Sequence, residues 1–163
     1  MRHASERDEL AAHLAGLIAS RLLDPLEILL ESDLADVRER VTTLSATMAD
    51  QLLDHNEQRA ARVAIRLVST LYPSDEPFRP TATWWATPLG QIVVRLVGHP
   101  SAESVSYAEA GAMLGISRQG VHDLVVRKKL ERHPSGGVTT ISIQARLKTR
   151  AAALLRAQQE EKK

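Results

Sequence analysis

The pattern of apolar positions opens with a helical stripe. Over residues 5–31, Leu10, Leu14, Leu17, Ile18, Leu22 and Leu23 recur at spacings of three and four, which lines one face of an α-helix. Asp24-Pro25 reads as a restart, with Asp24 as N-cap and Pro25 at the first helical position of a short helix through Leu30. From Asp33 to Leu71 the chain has neither Gly nor Pro. There Leu34, Val37, Val41, Leu44 and Met48 alternate spacings of three and four, a heptad seam. The seam lasts little more than two heptads before Leu52-Leu53 and His55-Asn56 disturb it, short of the roughly three or four that a self-standing coiled coil needs. Ala61, Ala64, Ile65, Val68 and Leu71 then resume a helical stripe. Such a module either closes into its own bundle or dimerises through the stripe.

Between Tyr72 and Pro88 the pattern breaks. Pro73, Pro77, Pro80 and Pro88 each fix φ and push the preceding residue out of the helical region, so 72–87 reads as a semi-rigid linker. It separates a helical module over 1–71 from a second domain over 88–157, with 158–163 as a frayed tail. Trp84-Trp85 at its end either anchor the linker on the second domain's core or offer flat faces to bases.

In the second domain, Thr87 caps a helix starting at Pro88, with Ile92, Val93, Leu96 and Val97 inward, and Gly98-His99-Pro100 stops it. Ser106 and Glu109 form a capping box that opens a short helix ending at Leu114. Gly115-Ile116-Ser117 is then a tight turn: Gly115 is free to take positive φ, Ile116 plugs the angle between helices, and Ser117 caps the next one. Gly111 supplies the small residue where the two crossing helices approach, the spacing of a helix-turn-helix. The third helix, Arg118 to Lys128, turns Val121, Leu124 and Val125 inward and Gln119, His122, Asp123, Val126 and Arg127 outward. Two strands, Leu130–His133 and Val138–Ile141, flank Pro134-Ser135-Gly136-Gly137 as a basic wing. From Ser142 a last helix carries Leu147, Leu154 and Leu155 inward and Arg146, Lys148, Arg150 and Arg156 outward. The expected fold class is mainly α, an N-terminal helical and candidate dimerising module followed by a winged helix-turn-helix with one small β-hairpin.

Composition narrows the chemistry. Aromatics are only 3% of 163 residues, so the core must come from Leu, Val, Ile and Ala. The absence of cysteine excludes a disulfide framework, thiolate zinc sites and a cysteine nucleophile, and agrees with a cytoplasmic location. The apolar stretch Leu10 to Ile18 is interrupted by His13, and nothing approaches the ~20 apolar residues of a membrane span, so neither export nor a membrane is expected. The net charge of +1 conceals a split. Residues 1–94 hold nine Arg and no Lys against fourteen acidic residues, a net −5, whereas 95–163 hold twelve basic against six acidic, a net +6. Either the second half meets a polyanion or the two halves attract each other.

Arg118 and Gln119 lie in the first turn of the third helix, where a recognition helix meets base edges, and Arg suits guanine as Gln suits adenine. The candidate DNA-contacting set is Ser117, Arg118, Gln119 and His122 on the helix, then Arg127, Lys128, Lys129, Arg132, His133, Gly136 and Gly137 along the wing. The alternative is a solvated polar face, which the outward Val126 fits poorly; that side chain suits a thymine methyl or a cover from the hairpin. No HExxH, P-loop, GxSxG or GxGxxG occurs, and the histidines at 3, 13, 55, 99, 122 and 133 are scattered. No enzyme, metal site or cofactor is expected.

The run SYAEAGAMLGISRQGVHDLVVRKKLERHPSGGVTTISIQARL, Ser106 to Leu147, resembles the winged helix-turn-helix of excisionase-like and MerR-like DNA-binding proteins over about 42 of the 163 residues. The resemblance implies a recognition helix in the major groove, carried here onto Arg118, Gln119 and His122, and a wing at Arg132 to Gly137. MerR regulators place dimerisation and sensing after the wing and often use cysteine ligands; here the extra domain comes first and cysteine is absent. The domain organisation resembles small actinobacterial or actinophage regulators. The expected function is a sequence-specific double-stranded DNA-binding transcriptional regulator, homodimeric through its N-terminal helices. The alternatives are an excisionase-like recombination accessory factor, or an antitoxin-like or adaptor module whose acidic N-terminal half grips a protein partner.

Overall fold

The computed structural model describes the backbone of Arg2–Glu161 and, within that span, every side chain except those of residues 2–4, 155, 158, 159 and 161. The protein is mainly helical with one small antiparallel two-stranded sheet. Its chain divides into two units, Met1–Asp75 and Glu76–Lys163.

In the first unit, α1 (Arg2–Ile18) lies along α3 (Ala35–Leu52), and α4 (Glu57–Leu71) packs on α3. Leu10, Leu14, Ile18, Leu23, Leu52, Val63, Leu67 and Leu71 are buried between them. Asp24 is not an N-cap. The first helix widens into a π-helical turn at Ala19–Leu23, and Asp24, with φ −59° and ψ −45°, donates its N–H five residues back to Ala19. α2 (Asp24–Leu30) follows with no break in helical backbone. Pro25 explains the turn: it has no N–H for the Arg21 carbonyl and its ring crowds that group, so the ladder opens into i→i−5 spacing. The Asp24 carboxylate accepts instead from Arg38 (2.6 Å), which Glu27 also holds.

The heptad seam is not the buried face of α3. Val37 and Leu44 are 39% and 49% exposed, while Ser45, Ala49 and Leu52 are buried. Small residues let α3 approach its neighbours closely, and an apolar count overlooks them. On α4 the buried stripe is Ala60, Val63, Ala64, Leu67 and Leu71; Ile65 is exposed and Ala61 and Val68 are only half-buried. Asn56 caps this helix by accepting from Arg59 N (3.0 Å). Leu26, Ile28, Leu29 and Leu30 of α2 are all exposed.

In the second unit, part of the proline-rich stretch folds. Thr81 caps α5 (Ala82–Trp85), and Trp85 is completely buried against His99 and Trp84. A buried ring has no face to offer a base, so Trp85 is an anchor. α6 (Pro88–Leu96) starts where Thr87 accepts from Gly90 N (3.1 Å). After it, His99 Nδ1 accepts from Ser101 N (3.2 Å) and Ala102 N (2.9 Å). Burial pushes the His99 imidazole below its usual pKa; Glu109 opposes that shift and Arg79 adds to it.

The remaining elements are β1 (Ser104–Val105), α7 (Tyr107–Leu114), α8 (Arg118–Val126), β2 (Val138–Thr139) and α9 (Thr140–Glu161). Ile92, Val93, Val94, Ala110, Met113, Val121, Leu130, Val138 and Ile143 close the core around Leu89 and Trp85. The expected two-strand hairpin is corrected. β2 pairs with β1, in register Ser104↔Thr139 and Val105↔Val138, and the 130–133 side keeps a single bridge, Arg132↔Val138. The return strand stops early because Thr140 is buried and tied to residues 102–103. Its N–H reaches Glu103 O (2.9 Å) and its hydroxyl Ala102 O (3.0 Å), so α9 begins there rather than at Ser142. Ile141, expected in the strand, is exposed on α9. Leu154 is exposed rather than inward, since α9 beyond residue 148 has left the core. Leu155, also expected inward, lies outside the described side chains. The helix continues to Glu161 through residues expected to fray, and Lys162 and Lys163 lie outside the described residues.

Candidate functional site

The site begins with two caps and a glycine. Ser106 and Glu109 satisfy each other's N–H groups (3.0 and 3.2 Å) and start α7. α7 ends at Gly115, with φ 67° and ψ 34°, a left-handed conformation that favours glycine. Ile116 N then bonds Gly111 O (2.9 Å), bringing the turn onto α7. A Cβ at Gly111 would lie 2.7 Å from Ile116 O, so this close approach needs glycine. Ser117 accepts from Gly120 N (3.1 Å) and starts α8.

Packing fixes how α8 is turned about its axis. Val121 is fully buried and Leu124 and Val125 are half-buried, which leaves Arg118, Gln119, His122, Asp123, Val126 and Arg127 outside. Val126 is 66% exposed, with no cover from the 130–141 loop. On the outer face Gln119 Nε2 donates to Asp123 Oδ1 (3.1 Å), and His122 Nδ1 stands 3.8 Å from the same oxygen.

α8 ends two residues earlier than the Arg118–Lys128 span expected from sequence. Lys128 turns left-handed, with φ 55°. Its N–H bonds Val125 O (3.0 Å) and that of Lys129 bonds Leu124 O (2.8 Å), the pairing of a Schellman cap. Lysine thus occupies the position where helices usually end in glycine. Arg127, Lys128 and Lys129, at and after this cap, are all exposed. With Arg146 and Arg150 of α9 they line a groove of about 890 Å³, which Ile116, Leu124, Ile141 and Leu147 also line. None of these five cations is ion-paired among the described residues, so their charge is directed to solvent or to a ligand.

In the loop after α8, Arg132 is exposed and His133, Gly136 and Gly137 are half-buried. His133 Nδ1 is bonded to Ser135 Oγ (2.6 Å), and its Nε2 stands 3.9 Å from Glu103. Gly137, with φ 79°, is packed so closely on β1 that a Cβ would collide with the Val105 carbonyl; its role is to seat the loop. Gly136 faces open space.

Ser117, Arg118, Gln119 and His122 thus share the start of one exposed helix, and Arg127, Lys128 and Lys129 line the groove beside it. Sequence reasoning omitted Asp123, Arg146 and Arg150 from the site. The four-residue spacing of Arg146 and Arg150 was the available signal, because it places both on one face of a helix. Among the described residues no cluster of His, Asp and Glu could hold a metal ion, and no helix is long and apolar enough to cross a membrane. No protein-family model, curated protein or solved structure matches this chain.

Proposed function

We propose that this chain is a sequence-specific double-stranded DNA-binding protein in which α7, its turn, α8 and the following loop act as a winged helix-turn-helix. The observation that carries this reading is the outer face of α8: Arg118, Gln119 and His122 are exposed at its start while Val121 locks the opposite side into the core. The major groove admits an α-helix, and Arg and Gln side chains match the edges of guanine and adenine. Arg127, Lys128, Lys129 and Arg132, joined by Arg146 and Arg150, supply the phosphate contacts that hold such a helix in register. The loop over 130–141 serves as the wing, on the backbone or in the minor groove.

In this reading the protein is a cytoplasmic transcriptional regulator, and its N-terminal helices form a homodimer. The exposed Leu26, Ile28, Leu29 and Leu30 of α2, and Val37 and Leu44 of α3, favour that dimer, since large apolar side chains left in solvent gain from being covered. An excisionase-like factor would use the same DNA face and differ in the arrangement of its sites. A protein-interaction module would use the same apolar face for a different partner.

Selection of random duplexes by the purified protein tests the reading. Two inverted half-sites about 10 base pairs apart are expected, one for each recognition helix of a symmetric dimer. Directly repeated or single sites would keep DNA binding and replace the regulator with the recombination accessory. No enrichment at low salt would remove the DNA reading.

A further inference from the structure

We infer that Asp123 is a positioning residue that commits Gln119 to adenine. This rests on the proposed placement of α8 in the major groove. Gln119 and Asp123 are four residues apart, both exposed, and joined by the 3.1 Å bond from Gln119 Nε2 to Asp123 Oδ1. An ionised carboxylate only accepts hydrogen bonds, so the nitrogen of the carboxamide must face Asp123 and the oxygen must point away. Of the two N–H groups on Nε2, one is then spent. The side chain is left with one donor and one acceptor, side by side and held in place before any DNA arrives.

That remainder matches one base. Adenine presents its N7 acceptor next to its N6 amino donor in the major groove, the complement of one N–H and one carbonyl oxygen. Guanine presents two acceptors, N7 and O6. A glutamine held by Asp123 would set its carbonyl oxygen against guanine O6, with no second N–H to offer. Released from Asp123, the same side chain turns freely and presents its NH₂ group to either purine. The bond therefore converts an ambivalent reader into an adenine reader, and it removes rotamer freedom that binding would otherwise have to remove.

Asp123 also has an effect that does not depend on the base. Its charge repels phosphates and weakens binding to every sequence. The two effects separate chemically. Asp123→Asn keeps an oxygen that accepts from Gln119 and loses the charge, whereas Asp123→Ala loses both.

Random-duplex selection with the full-length wild type, Asp123→Asn, Asp123→Ala and Gln119→Ala decides the matter, scored base by base. One adenine position is expected in the wild type and in Asp123→Asn, and its preference should vanish in Gln119→Ala. Asp123→Ala should bind all DNA more tightly yet lose about tenfold of its preference for adenine over guanine at that position alone. Asp123 is exposed, so all four proteins should show the same circular dichroism and the same melting curve. If Asp123→Ala keeps the adenine preference, or the position lost in Gln119→Ala is not adenine, the role is overturned while the DNA reading survives. If the wild type selects no motif at all, both fall together.

Discussion

A methyl group at residue 111 would stand 2.7 Å from the Ile116 carbonyl oxygen, and backbone does not yield as the tip of a side chain does. Replacing a helical glycine by alanine normally gains up to ~1 kcal/mol of helix propensity. Forcing two packed elements apart costs ~1–3 kcal/mol and wins here. Gly111→Ala should therefore lower the urea midpoint of unfolding at an unchanged m-value; an unmoved midpoint would mean that the turn has room to shift. His99 gives a second test at the same scale. Burial holds its folded pKa below the ordinary imidazole value of ~6.5, so between those two values the unfolded chain binds more protons than the folded one. Stability is complete above the ordinary pKa and is lost as pH falls through the folded value. His99→Asn offers Ser101 and Ala102 an acceptor oxygen that does not titrate. Its melting temperature should fall less than that of the wild type between about pH 7.5 and about pH 5.5. Parallel curves would show that His99 does not drive the loss.

At the scale of elements, the region after α8 should act on all DNA sequences alike. Lys129→Ala or Arg132→Ala should weaken binding uniformly and reduce the slope of log affinity against log salt by about one unit. A change confined to one base position would instead make that residue a base reader. How well each element was legible in the sequence follows from how local its cause is. α7, its turn and the start of α8 are dictated by Ser106, Glu109, Gly115 and Ser117, each acting within four residues, and the sequence shows them in place. β1 is two residues long, has no period to read, and pairs with a segment more than thirty positions away. The buried face of α3 is not legible in the sequence, because Ser45 and Ala49 do the packing while Val37 and Leu44 carry the apolar signal. In the candidate site, the rotation of α8 was readable from Val121, Leu124 and Val125. The contribution of Arg146 and Arg150 was not, because it depends on where α9 packs.

For the whole molecule, the two units differ in charge: residues 1–94 carry a net −5 and residues 95–163 a net +6. The acidic unit carries the exposed leucines of α2, and the basic unit carries the cations around α8. Leu29 is 78% exposed, so Leu29→Glu should alter folding stability by no more than about 0.5 kcal/mol. Its solution mass by light scattering should fall from two chains to one, with binding lost to paired half-sites and kept for a single one. A wild type that is already monomeric would end the dimer proposal. Lys128, left-handed in the cap of α8, has a different consequence. Glycine there would relieve ~1 kcal/mol of backbone strain and discard a positive charge beside the groove. A variant library sorted for heat resistance would favour glycine at this position, and one sorted for retention on DNA would keep lysine.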